Sequence, residues 1–177
     1  MPVREILQLG NPVLRQPSRA VEDLPAARQT LADLRDTLHD FQRRNGFGRG
    51  ISAVQIGVPE RLIYLEIGGR AFSLLNPVLR QGSREQILVW DDCFSFPQIV
   101  VRLLRAARVE VGYLDPQGLP CSLAAEWDFS ELVQHELDHL DGVLAIDRAI
   151  DKNSWATRAE YERRYAAERI APAPPGA

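Results

Sequence analysis

The pattern of apolar and polar positions predicts three helices. Apolar residues recur at helical spacing over residues 24–44, and Asn45-Gly46 would end that helix. A second helix is predicted to enter through 128–131, where Asp-Phe-Ser-Glu matches a capping box, and to stop at Asp141-Gly142. A third, charged helix is predicted over 154–169, with three aromatic residues forming its packing face: Trp155, Tyr161 and Tyr165.

Short segments rich in β-branched and aromatic residues lie mainly between the first two predicted helices, and turn residues separate them. Gly68-Gly69 favours a hairpin, and the Asp-Pro-Gln-Gly sequence at 115–118 favours another turn. The predicted strands are 61–67, 71–75, 86–90 and 108–114. We therefore expect an α+β domain with mostly antiparallel strands around one central helix, the second of the three.

The length and net charge of the chain limit the classes of protein to which it can belong. A chain of 177 residues fits one domain, which we place at 1–170, and the Pro- and Ala-rich residues 171–177 are expected to be a disordered tail. The net charge of −3 argues against direct nucleic-acid binding and against an anionic membrane partner. The first residues are charged and no run of 18 apolar residues occurs, so we expect a cytoplasmic protein.

The second helix carries the most informative motif, a His-Glu-x-x-His unit formed by His135, Glu136 and His139. Residues four apart share one helix face, so the two imidazoles can bind one cation. Glu136 would then lie beside a water whose pKa the cation lowers. The chain has only three histidines; the third, His39, lies on a polar helix face and is expected to be solvated.

A catalytic site of this type uses three protein ligands and leaves one position for water. Glu160 and Glu162 are nominal third ligands, because zincin proteases use a glutamate downstream of the motif. The metzincin pattern fails, since Ala145 stands where its third histidine would lie. Cys93 is the strongest alternative: it follows a predicted strand, and a lone thiol in a reducing compartment is better explained as a ligand than as half a disulfide.

Three separate motifs give the chain a resemblance to the peptide deformylases over almost its whole length. Residues 48–55, Gly-Arg-Gly-Ile-Ser-Ala-Val-Gln, are similar to the family's Gly-φ-Gly-φ-Ala-Ala-x-Gln, where φ is apolar. Residues 91–95, Asp-Asp-Cys-Phe-Ser, resemble Glu-Gly-Cys-Leu-Ser, and 134–140 match Gln-His-Glu-x-Asp-His-Leu. The motifs occur in the family's order, which makes the match specific.

The resemblance implies one divalent metal ion held by Cys93, His135 and His139. Fe²⁺ is expected, with Zn²⁺ or Ni²⁺ as alternatives in isolated protein. It also implies that Glu136 transfers the proton, and that the Gln55 side chain and the Phe94 backbone N–H stabilise the oxyanion. Gly50 would let an extended substrate lie between residues 49–50 and residue 92.

The chain departs from the family pattern around the substrate side chain. Arg49 replaces an apolar residue, and Asp92 replaces the glycine before Cys93. Glu131 and Leu132 lie one turn before His135, on the face that lines the methionine pocket in the family. We expect Arg49 and Asp92 to narrow or charge this pocket by pairing across the cleft. Arg49, Gly50, Asp92, Glu131 and Leu132 are thus the predicted substrate-binding residues.

The sequence therefore predicts a metallo-amidohydrolase that removes N-formyl groups from N-formylmethionyl peptides of nascent proteins. One alternative is a deformylase or amidase for a polar or charged N-formyl small molecule. A second is a non-catalytic binder of formylated chains. The expected partners are the formylated substrate and the ribosome, and the expected state is a monomer or weak dimer.

Overall fold

The computed structural model describes residues 3–173. Its three α-helices are α1 (Leu24–Asn45), α2 (Trp127–Leu140) and α3 (Arg158–Arg164). Its strands are β1 (Gly50–Ser52), β2 (Leu62–Ile67), β3 (Arg70–Gly82), β4 (Gln86–Asp92), β5 (Ile99–Ala106), β6 (Arg108–Leu114), β7 (Pro120–Glu126), β8 (Trp155–Thr157) and β9 (Ile170–Pro172). Short 3-10 helices occupy Pro12–Arg15, Ala53–Ile56, Ala145–Arg148 and Ala166–Glu168. Within residues 3–173, no helix is long and apolar enough to cross a membrane.

The strands form two antiparallel sheets. One has the order β1-β2-β3-β6-β7 and the other the order β8-β5-β4-β9. Among residues 3–173, β1 pairs only with β2, and it is therefore an edge strand of the larger sheet. This arrangement confirms the expected α+β class with mainly antiparallel strands.

Helix α2 is central, as predicted. Its apolar face packs on the five-stranded sheet, where Leu132, Val133 and Leu137 join Ile63 and Leu65 in one core. Helix α1 covers another part of that sheet through a second apolar cluster, and a third cluster lies against the smaller sheet. Ten of the fourteen residues of α2 are buried, so both its apolar and its polar side chains are held between other elements.

Helix α1 follows the sequence pattern closely. The Asp23 side chain accepts a hydrogen bond from the Ala26 N–H at 3.0 Å, which satisfies one of the free donors of the first turn. Gly46 ends the helix in the left-handed conformation, with φ of 77°. The Asn45-Gly46 stop is thus confirmed.

The predicted capping box at the entry to α2 is wrong. The helix begins at Trp127, and the residue before it, Glu126, makes no side-chain capping bond. Asp128 and Glu131 are inside the helix, and both side chains pair with Arg49. Charge pairing with another segment has replaced local capping.

Several strand boundaries differ from the prediction. β3 continues to Gly82, whereas the predicted strand ended at residue 75; a register shift between Leu75 and Val78 accommodates Asn76 and Pro77 within the strand. β5 and β7 were not predicted at all. β5 begins Ile-Val-Val and has a clear strand composition, which the sequence analysis overlooked, whereas β7 contains Pro, Ser and Ala and does not.

The predicted helix over 154–169 is wrong in its extent. Only Arg158–Arg164 form α3, while Trp155 belongs to β8 and is 44% exposed rather than packed. Tyr161 is buried, and Tyr165 stacks on Trp90 with ring centroids 4.9 Å apart. The expected disordered tail is also wrong for Ala171 and Pro172, which pair with β4; residues 174–177 lie outside the described range.

Candidate metal centre and active site

Three buried side chains from two distant segments converge beside α2. Cys93 lies just after β4, and its Sγ is 3.2 Å from His139 Nε2. His135 lies one turn earlier on α2, and its ring centroid is 4.9 Å from that of His139. One ligand atom from each of the three lies within 4.8 Å of the others, which is the arrangement of donors around one cation. The structure thus brings together all three predicted ligands.

The alternative ligands do not reach this cluster. Glu160 lies on α3, where it pairs with Arg163 and Arg164. Glu162 is exposed on the same helix. His39, predicted to be solvated, is partly exposed and bonds Glu66 at 2.7 Å, away from α2.

A buried ionic network orients His135. Asp91 Oδ1 lies 2.7 Å from His135 Nδ1, which leaves Nε2 for a metal. Asp91 Oδ2 accepts a hydrogen bond from Arg105 Nη2 at 2.9 Å, and Arg105 also pairs with Asp138. Burial would raise the pKa of Asp91, but the His135 and Arg105 charges outweigh it and hold that pKa below its usual range.

The pKa values of the two histidines are shifted in opposite directions. Burial lowers the pKa of His139 well below its usual value, which favours the neutral imidazole that binds metals. Burial acts likewise on His135, but the Asp91 carboxylate reverses the effect and raises its pKa. A cation bound to His135 Nε2 would replace the proton that the charged imidazole carries on that nitrogen.

Glu136 points into the same cavity and is held by Ser52. The Ser52 hydroxyl donates to Glu136 Oε2 and lies 3.1 Å from the Glu136 backbone oxygen. Burial raises the pKa of Glu136, while the His135 charge and the Ser52 hydrogen bond oppose that rise. Ser52 stands where the family pattern has alanine, so this contact was missed by sequence reasoning.

Three hydrogen-bond donors lie near Cys93: the Gln55 amide nitrogen, the Phe94 backbone N–H, and the Ser95 N–H, which donates to Cys93 Sγ at 3.4 Å. The Gln55 Oε1 accepts from the Ser52 N–H at 2.9 Å, which turns the amide nitrogen toward Cys93 Sγ at 3.6 Å. The Phe94 ring stacks on Phe41 with centroids 3.8 Å apart, which fixes the loop after Cys93. Among the described residues, no acceptor is found for the Phe94 backbone N–H.

Gly50 is required by close packing. A Cβ there would lie 2.8 Å from Glu136 Oε1, 2.8 Å from Leu65 Cδ2 and 3.0 Å from Leu132 Cδ1. The Glu66 N–H donates to the Arg49 oxygen at 2.6 Å, so residue 49 faces β2. Because pairing alternates along an antiparallel strand, the N–H and C=O of Gly50 face the opposite, unpaired edge of β1.

A cavity of about 410 Å³ opens onto these groups. The buried residues Gln55, His135 and Glu136 line it. The remaining lining mixes aromatic and apolar side chains with charges, and it includes all five predicted substrate-binding residues: Arg49, Gly50, Asp92, Glu131 and Leu132. Small-ligand sites are usually apolar with a few polar groups, and this cavity is more polar than that, since half of its sixteen lining residues are polar or charged.

Arg49 pairs with α2, and the predicted Arg49–Asp92 pair is wrong. Arg49 Nη2 donates to Glu131 Oε2 at 2.8 Å, and Nη1 donates to Asp128. Arg169 reaches the same carboxylates, with 3.1 Å from its Nη1 to Asp128 Oδ1. Burial raises the pKa of Glu131 to about 7, helped by the Asp91 charge, while the Arg49 charge opposes it. Two arginines thus face two carboxylates on one wall of the cavity.

Asp92 pairs instead with Arg158. Arg158 Nη2 donates to Asp92 Oδ2 at 2.7 Å, and its Nε donates to the Pro97 oxygen, also at 2.7 Å. Its guanidinium carbon lies 3.9 Å from the centre of the Phe47 ring. Sequence reasoning missed Arg158 and Arg169 as cavity residues, because no motif or spacing marks them.

The fold and this site define a class, a metal-dependent hydrolase with a Cys-His-His cluster beside a glutamate. A sequence model of the polypeptide deformylase family matches residues 3–155. The chain therefore belongs to the peptide deformylase family. This confirms the resemblance seen in the three motifs.

Individual relatives agree with the family match. The chain is 36% identical over 153 residues to a peptide deformylase of Syntrophomonas wolfei, covering 85% of this chain and 96% of that protein. It is 34% identical over 167 residues to one from Treponema pallidum, covering 93% and 97%. Known structures show the same fold. That of Thermotoga maritima peptide deformylase has a TM-score of 0.80, 28% identity and coverage of 85% and 100%. A Synechococcus elongatus peptide deformylase, solved with actinonin, has a TM-score of 0.81, 28% identity and coverage of 98% and 92%.

Proposed function

We propose that this protein is a metal-dependent hydrolase that removes the N-formyl group from the first residue of nascent peptides. The observation that carries the proposal is the convergence of Cys93, His135 and His139, next to a cavity that His135 and Glu136 line. Family membership supports the same activity.

The donor set fits a divalent cation. A thiolate and two imidazoles are three ligands, which leaves one position for water, as in catalytic metal sites. All three side chains are buried, and their packing leaves the Cys93 Sγ and His139 Nε2 atoms 3.2 Å apart. When bound, the cation would polarise the formyl oxygen and lower the pKa of the attacking water. Fe²⁺ is the ion we propose, with Zn²⁺ and Ni²⁺ as substitutes in isolated protein.

Glu136 is proposed to move the proton. Its carboxylate lies in the cavity beside the ligand His135, where it can accept a proton from the attacking water and deliver it to the departing amine. The Ser52 hydroxyl holds one carboxylate oxygen in place. The Gln55 amide nitrogen and the Phe94 N–H are proposed to donate to the oxygen that becomes negative as the carbonyl is attacked.

The peptide is proposed to bind as an added strand along the free edge of β1. The outward N–H and C=O of Gly50 can pair with its backbone, and the absence of a side chain at Gly50 allows the close approach. The first side chain would then enter the cavity between Arg49, Glu131 and Leu132, opposite Asp92.

The direct test is deformylation of formyl-Met-Ala-Ser by protein loaded with Fe²⁺ under anaerobic conditions. We expect release of formate and of the free amine, and loss of both after the metal is removed. A metal-loaded, folded protein that releases no formate from this peptide or from any formylated amine would refute the proposal.

One observation favours a second candidate, a deformylase for polar or charged N-formyl compounds. Arg49, Glu131 and Arg169 make one wall of the cavity ionic, with Asp128 pairing behind both arginines, whereas a methionine side chain gains from apolar surroundings. A panel of formylated polar amines, assayed beside formyl-Met-Ala-Ser, compares the two candidates.

The non-catalytic alternative has no such support, since Gln55, Cys93, His135, Glu136 and His139 all converge. Contact with the ribosome, a cytoplasmic location and a monomeric or weakly dimeric state stay predictions. Co-sedimentation with ribosomes, cell fractionation and sedimentation velocity would test them in turn.

A further inference from the structure

We propose that Arg158 is a substrate-binding residue, which donates a hydrogen bond to a main-chain carbonyl of the peptide beyond its formylated residue. This inference rests on the proposed deformylase function. Arg158 lies outside residues 3–155, the part of the chain that the family model matches. It nevertheless lines the same cavity as Glu136 and His135.

The direction of the bound peptide follows from which parts of the cleft are open. The formyl group must lie next to Glu136, and Gly50 is the β1 residue whose outward backbone edge lies beside that carboxylate: a Cβ there would lie 2.8 Å from Glu136 Oε1. Ile51 and Ser52, further along β1, are fully buried, so the peptide cannot leave the cavity on that side. Residues 47–49 are only half-buried. The peptide therefore leaves the cavity past Phe47.

Arg158 lies at that exit. Its guanidinium stacks on Phe47 on one side of the cleft and bonds Asp92 and Pro97 on the other. Phe47 is three residues from Gly50, which is about 10 Å along a strand at roughly 3.3 Å per residue. A peptide with its formyl group at Gly50 thus brings its second or third residue to Arg158.

The guanidinium has a donor to spare and is already held in place. Its Nε and Nη2 bond Pro97 and Asp92, while Nη1 has no hydrogen-bond partner within the described part of the chain. Because two bonds and the Phe47 ring fix its orientation, binding a carbonyl costs little additional side-chain entropy. The presence of Asp92 in place of the family's glycine is then explained, because Asp92 holds the Arg158 guanidinium in position.

The test compares two substrates that share the formylated residue. Formyl-Met-Ala-Ser has carbonyl groups beyond methionine, and formylmethionine N-methylamide has none. For Arg158→Gln we expect KM for the tripeptide to rise about 10-fold, the effect of losing one hydrogen bond from a charged donor. The kcat should stay the same, because the bond is made in the ground state and the transition state alike. Both constants for the methylamide should be unchanged.

Arg164→Gln is the matched control, because Arg164 lies on the same helix but is exposed and pairs only with Glu160. Arg158→Lys keeps the charge but lacks the planar guanidinium, so it should bind the tripeptide more tightly than Arg158→Gln and less tightly than the wild type. It also replaces Arg158→Gln as the test variant if that protein does not fold. Calorimetric binding of the tripeptide to metal-loaded Glu136→Gln protein, with and without Arg158→Gln, gives a readout independent of turnover.

The outcomes separate the two proposals. If the wild type deformylates neither substrate, the proposed function fails. If the wild type is active and Arg158→Gln leaves the tripeptide KM and affinity unchanged, the Arg158 proposal is refuted while the function stands. Equal losses for both substrates, with a lowered melting temperature, would show that Arg158 only supports the cavity wall and would also refute it.

Discussion

At the scale of single residues, two contacts fix the Glu136 carboxylate. The Ser52 hydroxyl bonds one of its oxygens, and Gly50 leaves room for the other, which a Cβ would approach to 2.8 Å. Glu136 projects from the same turn of α2 as the proposed ligand His135. A carboxylate held this way can transfer a proton without first reorienting.

Replacing Glu136 should therefore affect chemistry and leave the metal in place. For Glu136→Ala we expect unchanged metal content and a turnover lower by about 100-fold or more, the usual contribution of a general acid–base. Metal analysis and initial rates measure the two quantities, with Glu126→Ala, exposed before the same helix, as the control. Parallel loss of metal and activity would mean that Glu136 is a ligand.

Arg49 and Glu131 should be replaced together, because each satisfies the charge of the other. Arg49→Ile alone leaves Glu131, 5% exposed, without its closest cation, and should cost about 3 kcal/mol in the free energy of unfolding. Arg49→Ile with Glu131→Leu should regain much of this, because an apolar pair replaces the ion pair. Urea unfolding of the metal-loaded proteins measures the difference.

The same double variant tests substrate choice. An apolar wall should improve kcat/KM for formyl-Met-Ala-Ser by roughly 10- to 100-fold, the value of burying a methionine side chain well. Asp92→Gly, in contrast, is expected to act through Arg158 and not through Arg49. No gain for the double variant would show that the methionine side chain does not contact this wall.

At the scale of elements, a buried ion network joins α2 to the smaller sheet. Arg105 on β5 is 3% exposed and bonds Asp91 on β4 and Asp138 on α2. Three elements that carry or orient the proposed ligands are thus connected through one guanidinium. Opposite charges outweigh its burial and raise the pKa of Arg105, so it stays charged.

Arg105→Met should be strongly destabilising, by about 3–5 kcal/mol, because it removes the buried cation that Asp91 and Asp138 share and leaves them with His135 and the exposed Arg148, respectively. Arg108→Met is the control: Arg108 is exposed and pairs with Glu85, so its loss should cost no more than about 1 kcal/mol. Chemical unfolding of both metal-loaded variants checks the contrast. Similar small losses would mean that other cations compensate Asp91 and Asp138.

The elements also show what the sequence could predict. Helix α1 and the extent of α2 were predictable because apolar periodicity and the Gly46 stop are local signals. β7 was not, since its Pro-, Ser- and Ala-containing sequence favours no strand and its position depends on pairing with β6; β5, which begins Ile-Val-Val, could have been predicted but was overlooked. The C-terminal helix was overpredicted for a similar reason: Trp155–Thr157, at its predicted start, pair with β5 as strand β8.

At the scale of the whole molecule, the site is assembled from four parts of the chain. The first three, around Gly50, Cys93 and His135, are short motifs that sequence reasoning found. The fourth comprises Arg158 and Arg169, which reach the cavity only because α3 and β9 pack beside β4. No local pattern marks such residues, so the ionic wall and its partners required the structure.

A metal bound between Cys93 and α2 would also connect separate elements of the fold. Cys93 follows β4, whereas His135 and His139 are on α2, so the cation stabilises the folded state, which alone has these ligands together. With free metal at about 100 times its dissociation constant, the free energy of unfolding should rise by about 2.7 kcal/mol.

Chelation should therefore lower the melting temperature of the wild type. It should have little effect on Cys93→Ala, while Cys121→Ala, which removes the half-buried thiol on β7, should respond like the wild type. A wild-type melting temperature that chelation leaves unchanged would contradict a metal bound by these three residues.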